Sequence, residues 1–131
     1  MAYPDAVALV VAYLGPLHTG KTVASRVPSP RPDEWIEVRQ VGGAWDPPVR
    51  EQVRLDVFYW ALTEPAAQTG AERVRREIHA LASTSTLGVP CYRVDELMGP
   101  RQWDDPLTPN TFARWATYTL TLRADDAVTY H

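Results

Sequence analysis

Gly15 to Thr22, GPLHTGKT, is the stretch whose residue types and spacing most directly spell out chemistry. It fits G-x-x-x-x-G-K-[ST], the phosphate loop, in which backbone amides cradle phosphates, the lysine neutralises them and the hydroxyl binds Mg²⁺. That chemistry needs a strand before the loop and a helix after it, so that the helix N-terminus faces the phosphates. Neither neighbour fits. Residues 4–14 carry helical spacing, and VASRVPSPRP after Thr22 cannot make two helical turns before its prolines. No later apolar strand ends in an aspartate suited to holding Mg²⁺, and the chain is short for the parallel sheet this fold requires. The segment is therefore read as a flexible Gly/Thr loop, with nucleotide binding through Gly15 to Thr22 as the alternative from a different class.

The other reactive side chains point to no reaction. His18, His79 and His131 are spread over a loop, a helix and the C-terminal end, without the carboxylate or cysteine spacing of a metal site. Asp104 with Asp105, and Asp125 with Asp126, are paired carboxylates in loop or terminal settings, where such pairs are ordinarily solvated. No Ser/His/Asp set is defined. Cys91 is the single cysteine and reads as a buried structural thiol. The expectation is no catalytic residue, no metal and no cofactor. Trp45 and Trp103 are the more telling residues. Each sits beside proline and aspartate in a predicted loop, either as an exposed interface anchor or folded back as a lid on the core.

Composition narrows the class further. A chain of 131 residues, 45% hydrophobic, is the size of one domain with an ordinary core. A formal charge of −3 is wrong for gripping a phosphate backbone, which takes clustered cations. The apolar run Ala6 to Leu14 is too short to span a bilayer and follows Pro4 and Asp5 rather than positive charge, so neither a signal peptide nor a membrane anchor is expected. Apart from Lys21 every cation is an arginine, Ile occurs only at Ile36 and Ile78, and Asn only at Asn110. This bias points to a GC-rich genome, and arginine suits planar, bidentate pairing at interfaces.

The elements that must position these residues follow from periodicity. Ala6, Val7, Val10, Val11 and Leu14 recur at helical spacing until Gly15 and Pro16, giving a helix over 4–14. Thr22 to Val27 is a short strand, and Pro28, Pro30 and Pro32 then impose an extended arm over 28–33, a candidate contact region or a passive connector. From Trp35 the period becomes two, with Ile36 and Val38 on one face and Glu37 and Arg39 on the other, until Gly42 and Gly43 end the strand. Val53, Leu55, Val57 and Tyr59 share one face of the next strand. Arg54 and Asp56 occupy its other face, continued by Phe58 and Trp60 as an apolar end that needs a packing partner. The two strands pair antiparallel through Ala44 to Arg50, where Pro47 and Pro48 force a wide turn.

Pro65 then opens a helix whose Ala67, Ala71, Val74, Ile78 and Leu81 form one stripe, with Glu72, Arg73, Arg75, Arg76 and Glu77 solvated around it. Ser83 to Gly88 terminates it, Val89 to Met98 is a strand, and Gly99 to Asn110 is a loop carrying Arg101 and Trp103. In the closing strand Ala116, Tyr118, Leu120 and Leu122 alternate with Trp115, Thr117, Thr119 and Thr121. The predicted fold is α+β: one small domain, a mainly antiparallel sheet of four to five strands packed by two helices.

In this order the elements resemble a tail terminator protein of long-tailed, siphovirus-like bacteriophages. The resemblance covers nearly the whole chain. It rests on the N-terminal helix, VPSPRPDEWIEVRQVGG, VREQVRLDVFYWA, the Ala/Arg-rich helix, CYRVDEL and the Thr-rich closing strand, with GPLHTGKT as the departure. It implies a structural protein of the virion neck, assembled in the host bacterial cytoplasm. Its subunits form a six-membered ring that caps the tail tube, stops its polymerisation and meets the head connector, while DNA passes through the channel without specific binding. Another neck protein, a stopper or connector, is the near alternative. Contacts to neighbours or to the tube are expected at Pro30 and Pro32 in the arm, at Gly42, Gly43 and Trp45 in the 42–50 turn, and at Arg101 and Trp103 in the 99–110 loop.

Overall fold

The computed structural model describes residues 5–46, 50–104 and 110–123, leaving aside the side chains of residues 44–46. Helix α1 spans Ala6–Leu14. Its start is fixed by Asp5, whose carboxylate accepts from the Ala8 amide at 3.0 Å, satisfying one of the amides that a helix N-terminus leaves free. A short 3₁₀ turn, Gly15–His18, follows, then strand β1, Thr22–Ala24, shorter than the predicted 22–27. Strands β2, Trp35–Asp46, and β3, Arg50–Ala61, come next. Helix α2, Glu64–Ala80, is capped by Thr63, whose hydroxyl accepts from the Ala66 amide, with Pro65 in the first turn. Strands β4, Thr84–Thr86, β5, Val89–Trp103, and β6, Phe112–Arg123, are the remaining elements among the described residues.

The six strands form one mixed sheet in the order β1-β2-β3-β6-β5-β4. β1 runs parallel to β2 and every other neighbouring pair is antiparallel. The α+β class and the two helices agree with expectation, while the sheet exceeds the predicted four to five strands. The difference is β4. Ser83 to Gly88 reads in sequence only as a helix terminator, but Thr86 pairs with Val89 across Leu87 and Gly88, both at positive φ. That is a two-residue hairpin turn, hidden because leucine is not a residue that announces one.

Two further boundaries move because the sheet absorbs an apparent breaker as a bulge. Gly42 and Gly43 do not end β2; the register slips between Gln40 and Gly42 and pairing resumes to Asp46 opposite Arg50. The wide turn expected at Pro47 and Pro48 lies outside the described residues. A Cβ on Gly43 would stand 2.2 Å from the Gln52 carbonyl oxygen, so the close approach of β3 requires glycine there. Likewise Gly99 and Pro100 do not open a loop. β5 slips between Met98 and Arg101 and then pairs Arg101 with Trp115 and Trp103 with Ala113. Proline has no amide to donate, and a bulge position asks for none.

Both helices lie on one face of the sheet. Leu9, Val10 and Leu14 of α1 and Ala67, Ala71, Val74 and Ile78 of α2 are buried with Ile36, Val38, Leu55, Tyr118, Leu120 and Leu122 in the main core. Cys91 is buried there as a free thiol, and burial raises its pKa. The solvated side of α2 is laced by ion pairs, Arg73 to Glu77 at 3.2 Å and Arg75 to Glu96 of β5 at 2.7 Å. Among the described residues no helix is long and apolar enough to cross a membrane.

Candidate interface on the open face of the sheet

The opposite face of the sheet carries no helix, yet it is not a plain polar surface. Alternation puts Trp35, Glu37 and Arg39 of β2 on this side, opposite Trp60, Phe58 and Asp56 of β3, which in turn face Ala113, Trp115 and Thr117 of β6. Trp35, Phe58, Trp60 and Ala113 form a second buried cluster, with Ala24 and Trp115 packed against it. This is the packing partner that Phe58 and Trp60 required. Phe58 is its hub. Its ring stacks on Trp60 at 6.2 Å and on Trp115 at 5.7 Å, and Trp103 meets it edge-on at 5.8 Å.

Arginines close the cluster where a second layer of apolar side chains would otherwise be needed. The Arg101 guanidinium lies 3.5 Å from the Trp115 ring centre, Arg39 lies 5.1 Å from Phe58, and Arg31 lies 4.7 Å from Trp60. A guanidinium sheds hydration readily and stacks flat on an indole. Glu37, 3% exposed, sits inside the cluster, accepts from Trp60 Nε1 at 3.0 Å and pairs with Arg39. Reading Glu37 as simply the partner face of Ile36 missed this burial; the available signal was that the same face carries Phe58 and Trp60. Outside the cluster, Trp103 remains 38% and Met98 51% exposed.

Farther along the same face, Gly43, Gln52, Arg54 and Thr119 line a recess of about 230 Å³. Arg54 is exposed and makes no ion pair among the described residues. The other cations nearby are engaged, Arg39 with Glu37 and Arg93 with Asp95 at 2.8 Å.

The structure brings several of the predicted contact residues to this face. Arg101 and Trp103 are on it, as strand residues and not as loop residues. Gly43 borders the recess. The proline-rich arm reaches the face through Arg31, held between exposed Pro30 and half-buried Pro32. Gly42 is exposed and pairs with Arg54. Trp45 pairs with Glu51 through its backbone, and its side chain lies outside the described residues. Of the carboxylate pairs, Asp104 accepts from Gln102 at 2.9 Å, while Asp105, Asp125 and Asp126, like His131, lie outside the description.

The phosphate-loop segment is arranged otherwise. A helix precedes it, a 3₁₀ turn occupies its first half and a strand follows Thr22, the reverse of the order that aims a helix N-terminus at a phosphate. Lys21 donates to the Tyr59 hydroxyl at 2.8 Å, and that hydroxyl donates to Glu34 at 2.6 Å, closing a triad in which Lys21 and Glu34 are 3.2 Å apart. The Tyr59 hydrogen bond raises the Lys21 pKa and lowers that of Glu34, so the lysine charge is already matched. His18 is buried and bonds Glu77 at 2.5 Å, and His79 bonds Glu96 at 3.2 Å. Among the described residues no group of three His, Cys, Asp or Glu side chains could hold a metal ion. The expected result with Mg²⁺ and ATP or GTP is an unchanged melting temperature. Lys21→Ala lowers that temperature with or without nucleotide, because it removes the hydrogen bond to Tyr59 and the ion pair to Glu34; a ligand-dependent rise lost in the variant would mean the loop binds phosphate.

The fold and this face define a single α+β domain with one sheet face covered by helices and the other left open under an arginine-capped aromatic cluster. No family model matches the chain, and no curated protein matches it closely enough to count as a relative.

Proposed function

We propose that this protein is a ring-forming tail terminator of a long-tailed bacteriophage, which caps the tail tube, stops its polymerisation and offers the head connector a docking surface. The open sheet face is the observation that carries the reading. Trp103, Met98, Arg39 and Arg101 lie there on a rigid sheet, and exposed aromatic, methionine and arginine side chains are what protein interfaces concentrate. A closed ring joins two different surfaces of each subunit, and a domain with one helical face and one open face has two to offer. On this reading the protein catalyses nothing and holds no cofactor. Its partners are its own copies in a hexamer, the tail tube protein, and the connector or stopper. It resides in the virion neck, and its net charge of −3 suits a channel that passes DNA without holding it.

Incubating the purified protein with tail tubes tests this directly. The expected result is rings at tube ends in negative-stain images and arrested tube growth. Trp103→Ala combined with Arg101→Glu should reduce capping at least tenfold while circular dichroism stays unchanged. Binding to heads and not to tubes would replace the terminator with a stopper or connector, and a protein that stays monomeric and leaves tubes growing would end the proposal.

A further inference from the structure

The sheet is incomplete along β5. β4 pairs with that strand only from Val89 to Cys91, whereas β5 continues to Trp103. Among the described residues no strand lies along its outer edge from Arg93 onward. An outer strand turns every second residue's amide and carbonyl away from the sheet, which makes it a template for another strand. Tyr92, Leu97, Met98 and Trp103 of β5 are all exposed, so apolar side chains accompany this edge.

The register against β6 shows what fits there. Arg93, Asp95, Met98, Arg101 and Trp103 stand opposite Thr121, Thr119, Thr117, Trp115 and Ala113. Each step is two residues of β6, so all five share the open face and are evenly spaced, although their own numbering is not. The pattern is symmetric about Met98. A twofold axis at Met98 sets Asp95 opposite Arg101 of a second copy and Arg93 opposite its Trp103, each of them twice. The first is an ion pair and the second a guanidinium over an indole, and directly opposed pairs of these kinds stabilise a sheet.

We infer that the β5 edge binds the β5 edge of a second copy antiparallel, joining the two sheets across a twofold axis at Met98. Arg93 to Asp95 and Arg101 to Trp103 each keep unbroken register with β6, so each stretch is regular enough to pair. Bulges and proline are devices that commonly block an edge. Here Pro100 and the slips after Glu96 and Met98 lie between the two stretches, where Leu97 and Met98 of both copies fill the centre in place of ladder bonds. The side chains have capacity to spare. Asp95 meets Arg93 through Oδ1 at 2.8 Å, leaving Oδ2 for the second copy. Arg101 reaches the Trp115 carbonyl at 3.3 Å and the Thr117 hydroxyl at 3.5 Å, but no carboxylate among the described residues. A surface that binds itself closes at two copies, so this contact is separate from the head-to-tail contacts of the proposed ring and does not rest on that reading.

Charge exchange on the full-length chain tests it, with light scattering over a concentration series as the readout. The parent should form dimers. Asp95→Arg alone and Arg101→Asp alone each set like charges opposite one another twice, and each should weaken association at least tenfold with circular dichroism unchanged. An equimolar mixture of the two should associate as the parent does, because both contacts then hold opposite charges. Met98→Cys gives a second measurement that leaves the Arg101 cap on the aromatic cluster in place. Oxidised glutathione should couple two copies of it at least tenfold faster than two copies of Val41→Cys, a similarly exposed position on β2. A monomeric parent would overturn the inference, as would variants that associate at the parent level, a mixture of folded variants that stays dissociated, or coupling no faster than at Val41. Tube capping is scored separately: dimers of a chain that never caps tubes remove the terminator reading alone, whereas capping by a chain that is monomeric in free solution removes the β5 contact alone.

Discussion

Phe58→Ala is expected to lower the stability of the isolated protein by about 3–5 kcal/mol, the usual cost of emptying a buried aromatic site. The position lies on the sheet face without helices, where alternation by itself would allow an exposed side chain and a cost near zero. The difference comes from the second cluster. Phe58 is 4% exposed and touches the rings of Trp60, Trp115 and Trp103, with Arg39 above it. Removing it also strips the support under Trp103 and loosens the Glu37 to Trp60 hydrogen bond. Urea titration followed by tryptophan fluorescence measures the loss, and a change below about 1 kcal/mol, within the range of an ordinary surface substitution, would mean that the cluster is not a second core. Phe58→Leu should recover about half of the deficit, since it returns apolar volume without the ring stacking.

Gly70→Ala reverses the sign that helix propensity assigns. In a solvated helix interior alanine is favoured over glycine by about 1 kcal/mol. Here a Cβ would stand 2.2 Å from the Tyr59 ring. That ring is buried at 2% exposure, and its hydroxyl is tied to Lys21 and Glu34, so it cannot swing aside without breaking the triad. Helix α2 must instead lift off the sheet. Overpacking of this kind costs about 1–3 kcal/mol, and the loss of the Tyr59 hydrogen bonds adds to it. A denaturation midpoint equal to or above that of the parent would show that α2 does not press on Tyr59 at that point. Because the helix is what moves, the loss should appear in hydrogen exchange of α2 before that of β3 and β6.

The same triad sets a pH dependence. Glu34 is held below the usual carboxylate range by the Tyr59 hydrogen bond and then by Lys21, and Glu96 by the Arg75 hydrogen bond and then by His79. A depressed folded-state value stabilises the protein above the unfolded carboxylate pKa of about 4.3, and that stability is lost as pH falls through the folded value. Glu51 opposes this, because desolvation raises its pKa. At the alkaline end Tyr59 is raised, chiefly by burial, and Lys21 by its bond to Tyr59. Their contribution is present below about pH 10 and is lost as pH rises through the folded values. Glu34→Gln should therefore flatten the acid limb of a stability profile between about pH 5 and 3 and lower the plateau. An acid limb unchanged by the substitution would place the effect elsewhere.

Legibility in the sequence followed the range of the interaction. The two helices, the inward face of β3 and the alternation of β6 are written in periods of a few residues, and the structure reproduces them with small shifts at the ends. Arg101 and Trp103 were singled out as contact residues for a loop context they do not have. They reach the open face because β5 bulges past Pro100 and resumes its register with Trp115. Lys21 was legible as a cation in a glycine loop, but its bond to Tyr59 crosses 38 positions of chain. No local pattern encodes such a contact.

What the sequence by itself determined is the set of elements, the apolar face of each, and the surplus of Phe58 and Trp60 on a strand face that should have been polar. Backbone periodicity and side-chain partition into water are local properties, and they suffice for that much. Only the tertiary structure decided that the surplus closes into a second cluster under Arg31, Arg39 and Arg101, that Glu37 is buried within it, and that the face remains open beyond Trp103 and Arg54. Those outcomes depend on which strands become neighbours and in what register. A slip of one residue exchanges the two faces of a strand, and here the register is settled by pairing across β2, β3, β6 and β5 together.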